Sequence, residues 1–331
     1  MPCSRRGLLA GALLTLAGCG SPATAPPSSQ AASSSPAQRP VVGLTYIPNI
    51  QFAPFYWAVD RQQYQPPVTL RHHGEQEGLF TVLLTGQEQL VVAGGDEMLQ
   101  ARAETGAELV AVASVYRSYP VRLVVLADSP ISSVADLRGR TVGLPGRYGE
   151  NWFALKLGLI QAGLSESTTT ILEIGYTQQA ALVTRKVDAV VGFVNGDAVQ
   201  LRASGTPVRV VTLGDLPLVS ASLITTAGYA QANPDLVAAI TRGSLAGMRA
   251  VAEDPAEAVR LARRYVPGLA EADAAGNAEA VLKATSELYR DAQGEISTTV
   301  DPAIWDQMSS TLHQAGLISR PVPAAQSLWR G

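Results

Sequence analysis

TYIPNIQFAPFYWAV, residues 45–59, decides how the rest of the chain is read. A β-branched run, VVGLTYI, leads into Pro48-Asn49, a pair that favours a turn over continued regular structure. Pro54 then suits the first turn of a helix through FYWAVDRQQY, where a missing N–H costs nothing. Strand, loop and helix are therefore expected in that order. The stretch is also crowded with rings: Tyr46, Phe52, Phe55, Tyr56 and Trp57 are five of the chain's 19 aromatic residues. Tyr46, Asn49 and Phe52 fall in or beside the loop and are expected to hold a ligand, with Phe55 as a further contact. Tyr56 and Trp57, inside the helix, are expected to pack.

The same form recurs downstream. VTLRHH, QLVVAGG, ELVAVASV, RLVVLAD, RTVGLPG, TTILEIGY, VDAVVGF, VRVVTLG and ASLITTA read as further strands, mostly separated by helix-length segments such as DEMLQARAETG and NWFALKLGLIQAG. Such alternation means an α/β fold with largely parallel sheets. After about residue 232 strands stop, and NPDLVAAITRGSLAGMRAVAED, PAEAVRLARRYV and DPAIWDQMSSTLHQAG read as helices opened by Asn-Pro, Asp-Pro and Asp-Pro. Two sheet-bearing blocks followed by a helical block suit two lobes with a cleft between them.

The N-terminus reads as an export signal: Arg5 and Arg6, then an apolar run to Ala17, too short to span a bilayer. LAGC, ending at Cys19, resembles a lipobox, so Cys19 is expected to be lipidated and to become the mature N-terminus. Ser4-Arg5-Arg6 also resembles a twin-arginine signal. Residues 19–40 are rich in Ser, Pro and Ala and are expected to form a disordered tether. From Cys19 onward the chain carries 23 basic and 28 acidic groups, a net charge of −5, with no basic excess for nucleic acid. Cys3 and Cys19 are the only cysteines, so the mature chain has no disulfide to rely on. The three histidines, His72, His73 and His313, are too few and too poorly spaced for a metal site.

Candidate ligand groups lie at strand-to-helix turns, which in α/β folds open onto the cleft. Gly94-Gly95-Asp96-Glu97 is expected to be such a turn, with Asp96 as N-cap and Glu97 in the first turn. In GLPGRYGENW, Tyr148, Asn151 and Trp152 are candidates, and Tyr148 and Trp152, four apart, are expected to share a helix face. The loop lacks the Lys-Ser/Thr of a phosphate-binding P-loop. Tyr176 ends the TTILEIGY run, and Asn195 and Asp197 follow VDAVVGF in the same manner. Ser244, in GSLAG, is not spaced as a hydrolase nucleophile and is expected on a helix surface.

With these residues in view, YIPNIQFAPFYWA, VADLRGRTVGLPG and KVDAVVGFVNGDAVQLR resemble the superfamily of ABC-importer binding proteins for thiamine-pyrimidine precursors, riboflavin, alkanesulfonates, taurine and nitrate. The resemblance covers residues 41–320. It implies a type II periplasmic-binding-protein fold: two α/β lobes joined by two crossovers near residues 118–122 and 218–223, with a ligand cleft between them. The first lobe would comprise residues 41–120 and 222–331, the second residues 121–221. GFVNGDAVQL departs from an expected Asn-Glu-Pro wording and puts Asp197 at the acidic position. Phe52 stands where pyrimidine-binding members tend to carry a histidine; it can stack but cannot donate a hydrogen bond, which favours a wider ring such as riboflavin's isoalloxazine.

The resemblance further implies a monomeric, membrane-anchored binding protein with permease and ATPase partners, no cofactor and no catalysis. Two other classes share the fold. Fungal pyrimidine synthases need a cysteine-rich segment and pyridoxal phosphate, and no cysteine follows Cys19 here. A ligand sensor would signal rather than deliver its ligand.

Overall fold

The computed structural model describes residues 39–45, 47–74, 77–269 and 272–331. The export segment, Cys19 and Tyr46 lie outside the described residues. All ten runs expected as strands form strands: β1 (Val41–Leu44), β2 (Thr69–His72), β3 (Leu90–Gly94), β4 (Leu109–Ser114), β5 (Val121–Leu126), β6 (Thr141–Leu144), β7 (Thr170–Glu173), β8 (Ala189–Phe193), β9 (Val208–Val211) and β10 (Ala221–Thr226). The helices between and after them are α1 (Ala53–Asp60), α2 (Thr81–Leu84), α3 (Gly95–Thr105), α4 (Gly149–Gln161), α5 (Gln178–Val183), α6 (Asp197–Ala203), α7 (Ala227–Ala232), α8 (Pro234–Glu253), α9 (Pro255–Ala262), α10 (Ala272–Leu288), α11 (Pro302–Gln314) and α12 (Ala324–Ser327).

The strands form two sheets of five, ordered β2-β1-β3-β10-β4 and β7-β6-β8-β5-β9. In the first, β1 pairs in parallel with β2 and β3, and β10 lies antiparallel between β3 and β4. In the second, β6 is parallel to β7 and β8, and β5 lies antiparallel between β8 and β9. The chain passes between sheets twice, through residues 115–120 and 212–220. Each sheet with its helices is a lobe, and Arg39–Gly331 forms one compact unit. The central strands carry near-continuous apolar runs because helices cover both faces; all of β3 is buried.

The helical C-terminal block begins its helices as the sequence expects. Pro234, Pro255 and Pro302 occupy first turns, and Asp254 and Asp301 accept hydrogen bonds from Glu257 N and Ala303 N, both at 2.9 Å. Asn233 makes no cap; its amide donates to Tyr229 O instead. α10 was not expected, because its sequence opens with neither proline nor a capping pair.

Ser244 corrects the sequence reading. It is fully buried, bonded to Tyr64 Oη at 3.1 Å and donating to Ile240 O at 2.9 Å. It lies between two glycines of α8 that admit close neighbours: a Cβ at 243 would stand 2.6 Å from the Tyr64 ring, and a Cβ at 247 would stand 2.0 Å from Pro54 O in the first turn of α1. This contact fixes the start of α1, and with it the loop at 48–52.

Candidate ligand-binding site

Between the lobes lies a cleft of about 900 Å³, bounded by the C-terminal ends of strands in both sheets and by both crossovers. The first lobe's wall begins with the opening loop. Asn49 caps a short 3-10 helix, Ile50–Phe52, by accepting from Gln51 N at 3.1 Å. That turn presents Asn49, Gln51 and Phe52 to the cleft, with Phe55 from the first turn of α1. Phe52 is only 6% exposed, its ring set edge-on to His72 at 5.6 Å. It belongs to the core as well as to the cleft wall. Tyr56 is wholly buried: it stacks on Tyr265 at 4.4 Å, and its Oη reaches Asn49 O and His72 Nε2. Tyr56 and the part-buried Trp57 both pack in the first lobe's core.

The second lobe faces this wall with rings that are open to solvent. Tyr148 is 56% exposed and Tyr176 63% exposed, and both line the cleft. Trp152 does not join them. Tyr148 precedes the helix with extended backbone, whereas Trp152 lies within α4 and turns into the core, with Arg147 and Lys156 over its ring at 5.8 and 5.5 Å. A shared helix face was expected; the extended N-cap separates them.

Asn151, Glu97 and Asp197 also line the cleft. The Asp197 carboxylate is already used, accepting from Phe193 N at 2.8 Å to hold the turn ahead of α6. Asn195 and Asp96 are not among the lining residues. Asn195 is 1% exposed and donates to Thr285 Oγ1 at 2.9 Å, bridging the β8–α6 turn to α10. Asp96 corrects a second expectation: Gly94, not Asp96, is the N-cap of α3, and Asp96 is buried beneath it. Its Oδ2 lies 2.6 Å from Tyr119 Oη.

The floor contains residues the sequence reading missed. Tyr116 and Ser220 come from the two crossovers, Glu150 from the first turn of α4 and Phe193 from the end of β8. Strand-to-helix turns do not include crossovers. Their expected positions near 118–122 and 218–223 were the signal that could have pointed to Tyr116 and Ser220.

The electrostatic character is uniform. Glu77, Glu97, Glu150 and Asp197 line the cleft, and no Lys, Arg or His does so among the described residues. Glu77 is paired with Arg71 at 2.5 Å, which holds its carboxyl below the usual range. Glu97 is pushed up to about 7 by burial, while the Gly94 amide opposes the shift. Burial, then the neighbouring carboxylates Asp96 and Glu97, raises Glu150 well above the ordinary carboxylate value. Among the described residues no group of three His, Cys, Asp or Glu is arranged to hold a metal ion.

Residues 49–258 match the family described as NMT1/THI5 like. The chain belongs to that family. It is 32% identical over 317 residues to the riboflavin-binding protein RibY of Chloroflexus aurantiacus, covering 92% of this chain and 89% of that protein. It is 31% identical over 157 residues to a formylaminopyrimidine-binding protein of Halalkalibacterium halodurans, covering 46% of this chain and 47% of that one. Among solved structures, the periplasmic aliphatic sulphonate-binding protein SsuA of Escherichia coli superimposes with a TM-score of 0.70 at 17% identity, over 88% of this chain and 92% of that one. The two-lobed architecture of this NMT1/THI5-like chain is thus the periplasmic-binding-protein fold expected from its sequence.

Proposed function

We propose that this chain is the extracytoplasmic solute-binding component of an ABC importer, held to the membrane through lipidated Cys19, and that its ligand is riboflavin. The observation that carries this reading is the cleft wall. Aromatic rings stand on both lobes, and among the described residues no basic side chain lines the space. A sulfonate or nitrate calls for focused positive charge, which no Lys, Arg or His among the described residues supplies to this acidic lining. A neutral, flat, polar-edged molecule meets no such obstacle: rings stack on its faces and the amides of Asn49, Gln51 and Asn151 reach its edges. A volume of about 900 Å³ lies at the upper end for small-molecule sites, which suits three fused rings with a hydroxylated chain better than one pyrimidine. The 32% identity to RibY over nearly the whole chain supports the same ligand.

In this reading the chain works by binding and hinge closure, and the closed, loaded form docks on a permease with its ATPase. No bond is made or broken. Adding the purified chain to riboflavin is expected to quench flavin fluorescence saturably at one site per chain. Calorimetric silence toward riboflavin, with heat released by an aminopyrimidine or by taurine, would overturn the ligand. Cys19→Ser is expected to move the chain from the membrane to the soluble fraction; unchanged fractionation would refute the anchor.

A further inference from the structure

Where α3 of the first lobe meets α4 of the second, beneath the cleft, three carboxyl groups converge. Gly94 marks the point: a Cβ there would stand 2.6 Å from Asp96 Oδ1, 2.7 Å from Glu97 Oε2 and 3.1 Å from Glu150 Oε1. The other Glu97 oxygen crosses to the second lobe, 2.8 Å from where a Cβ of Gly149 would lie. The two glycines leave the space in which carboxylates of opposite lobes meet.

Among the described residues no counter-charge serves this cluster. Tyr119 Oη lies 2.6 Å from Asp96 Oδ2 and 3.1 Å from Glu150 O, and Tyr116 flanks Glu150; both phenols are neutral and pushed upward by burial. Arg122, the nearby cation, donates to the carbonyl oxygens of Tyr119 and Val121. The second crossover contributes Ser220, 1% exposed, and the backbone of Val219 and Ser220 accepts from Asp96 N and Gly95 N at 3.0 Å each. Ser220 Oγ and Glu150 Oε1 are both shut off from solvent, and the Ser220 hydroxyl lies against the Glu150 carboxyl, where it opposes the upward shift. Ionised carboxylates crowded around one point at the bottom of the cleft, without a cation beside them, repel one another. One proton held between two of them turns repulsion into a hydrogen bond.

We propose that Glu97 and Glu150 share a proton across the lobe boundary, and that holding it favours the closed cleft. The coupling to ligand rests on the reading of the cleft as a hinge-closing ligand site. Burial raises both carboxyls, and each neighbouring carboxylate adds to the shift of Glu150. A carboxyl raised in the closed form stabilises closure fully below its free value of 4.5, and that stabilisation is lost as pH rises through the raised value, about 7 for Glu97. Closure, and ligand affinity with it, therefore weakens from mildly acid to mildly alkaline pH.

Small-angle scattering of the ligand-free chain decides the proton without reference to any ligand. The radius of gyration is expected to be larger at about pH 8.5 than at about pH 5.5. Glu150→Gln, which keeps the shape and is neutral throughout, is expected to remove the difference, as is Glu97→Gln. A pH-independent wild-type profile, or glutamine variants that retain the wild-type dependence, would overturn the proposal. So would recovery of the compact form at alkaline pH on adding calcium, which would make the cluster a cation site. With riboflavin as probe, affinity is expected to fall by at most about tenfold per pH unit, the limit for one linked proton. A flat affinity profile would overturn the coupling to closure. Absence of riboflavin binding would defeat the proposed ligand alone, since scattering still decides whether the proton is shared.

Discussion

Gly247→Ala is expected to destabilise the chain, although glycine inside a helix is normally the weaker choice. The new Cβ would stand 2.0 Å from Pro54 O, 2.8 Å from its carbonyl carbon and 3.2 Å from its Cα, where ordinary contact begins at 3.4 Å. All three are backbone atoms, so no side chain can swing aside, and α1 must retreat by more than an ångström. Overpacking of this kind costs up to about 3 kcal/mol. The gain in helix propensity returns about 1 kcal/mol. The net loss of about 2 kcal/mol corresponds to a melting temperature lower by about 4 °C for a chain of this size. Gly276→Ala is the matched control: it lies in α10, exposed, with nothing within 4 Å of the added carbon, and is expected to gain about 0.5–1 kcal/mol. Thermal unfolding followed by far-ultraviolet circular dichroism compares the two directly. A Gly247→Ala variant that melts at or above the wild type refutes the close-approach argument. Because Pro54 follows Phe52 by two residues, the same retreat is expected to weaken ligand binding, and Gly276→Ala is not.

Tyr148→Ala is expected to weaken riboflavin binding by about 1–3 kcal/mol, the value of a lost stacking partner, with an unchanged melting temperature, because the ring is largely exposed. Phe52→Ala is expected to lower both affinity and stability, the latter by about 3 kcal/mol, because its ring is also core; a selective affinity loss in a titration and melt would contradict its burial. Glu88→Ala is expected to cost about 1–3 kcal/mol in a denaturant melt, since it leaves buried His73 without its carboxylate partner and Arg71 with Glu77 alone. Asp254→Ala is expected to cost about 0.5–2 kcal/mol by removing the cap of α9, and Asp254→Asn to restore most of it.

Most of the fold was legible because burial on both faces of a parallel strand leaves a run of β-branched residues that little else produces. All ten strands were readable as such runs, but not their directions: the sheets expected to be largely parallel are mixed, with β4, β5, β9 and β10 pairing antiparallel; the Pro-started helices were readable from their prolines. α10 was not, since it begins without either signal. The site was legible where it lies in strand-to-helix turns: Asn49, Phe52, Glu97, Tyr148 and Asn151 all reach the cleft. It was illegible where the outcome depends on which way a turn points. Asp96, Trp152 and Asn195 sit in the right turns but spend their side chains on Tyr119, the core and Thr285. Likewise Ser244 was assigned to the surface, because its sequence motif does not reveal that Tyr64 closes over it beside Gly243 while Gly247 admits the first turn of α1.

β10 lies between β3 and β4, yet it is made after every strand of the other sheet. A nascent chain can therefore complete β7-β6-β8-β5-β9 from one continuous stretch, while its first-made strands wait for a partner more than a hundred residues away. Until Ala221–Thr226 emerges, β3 and β4 lack their common neighbour, and their open edges are the kind that recruit other chains. Truncation ahead of β10 leaves the half of the molecule that carries Asn49 and Phe52 unfinished, however much of the other half has folded.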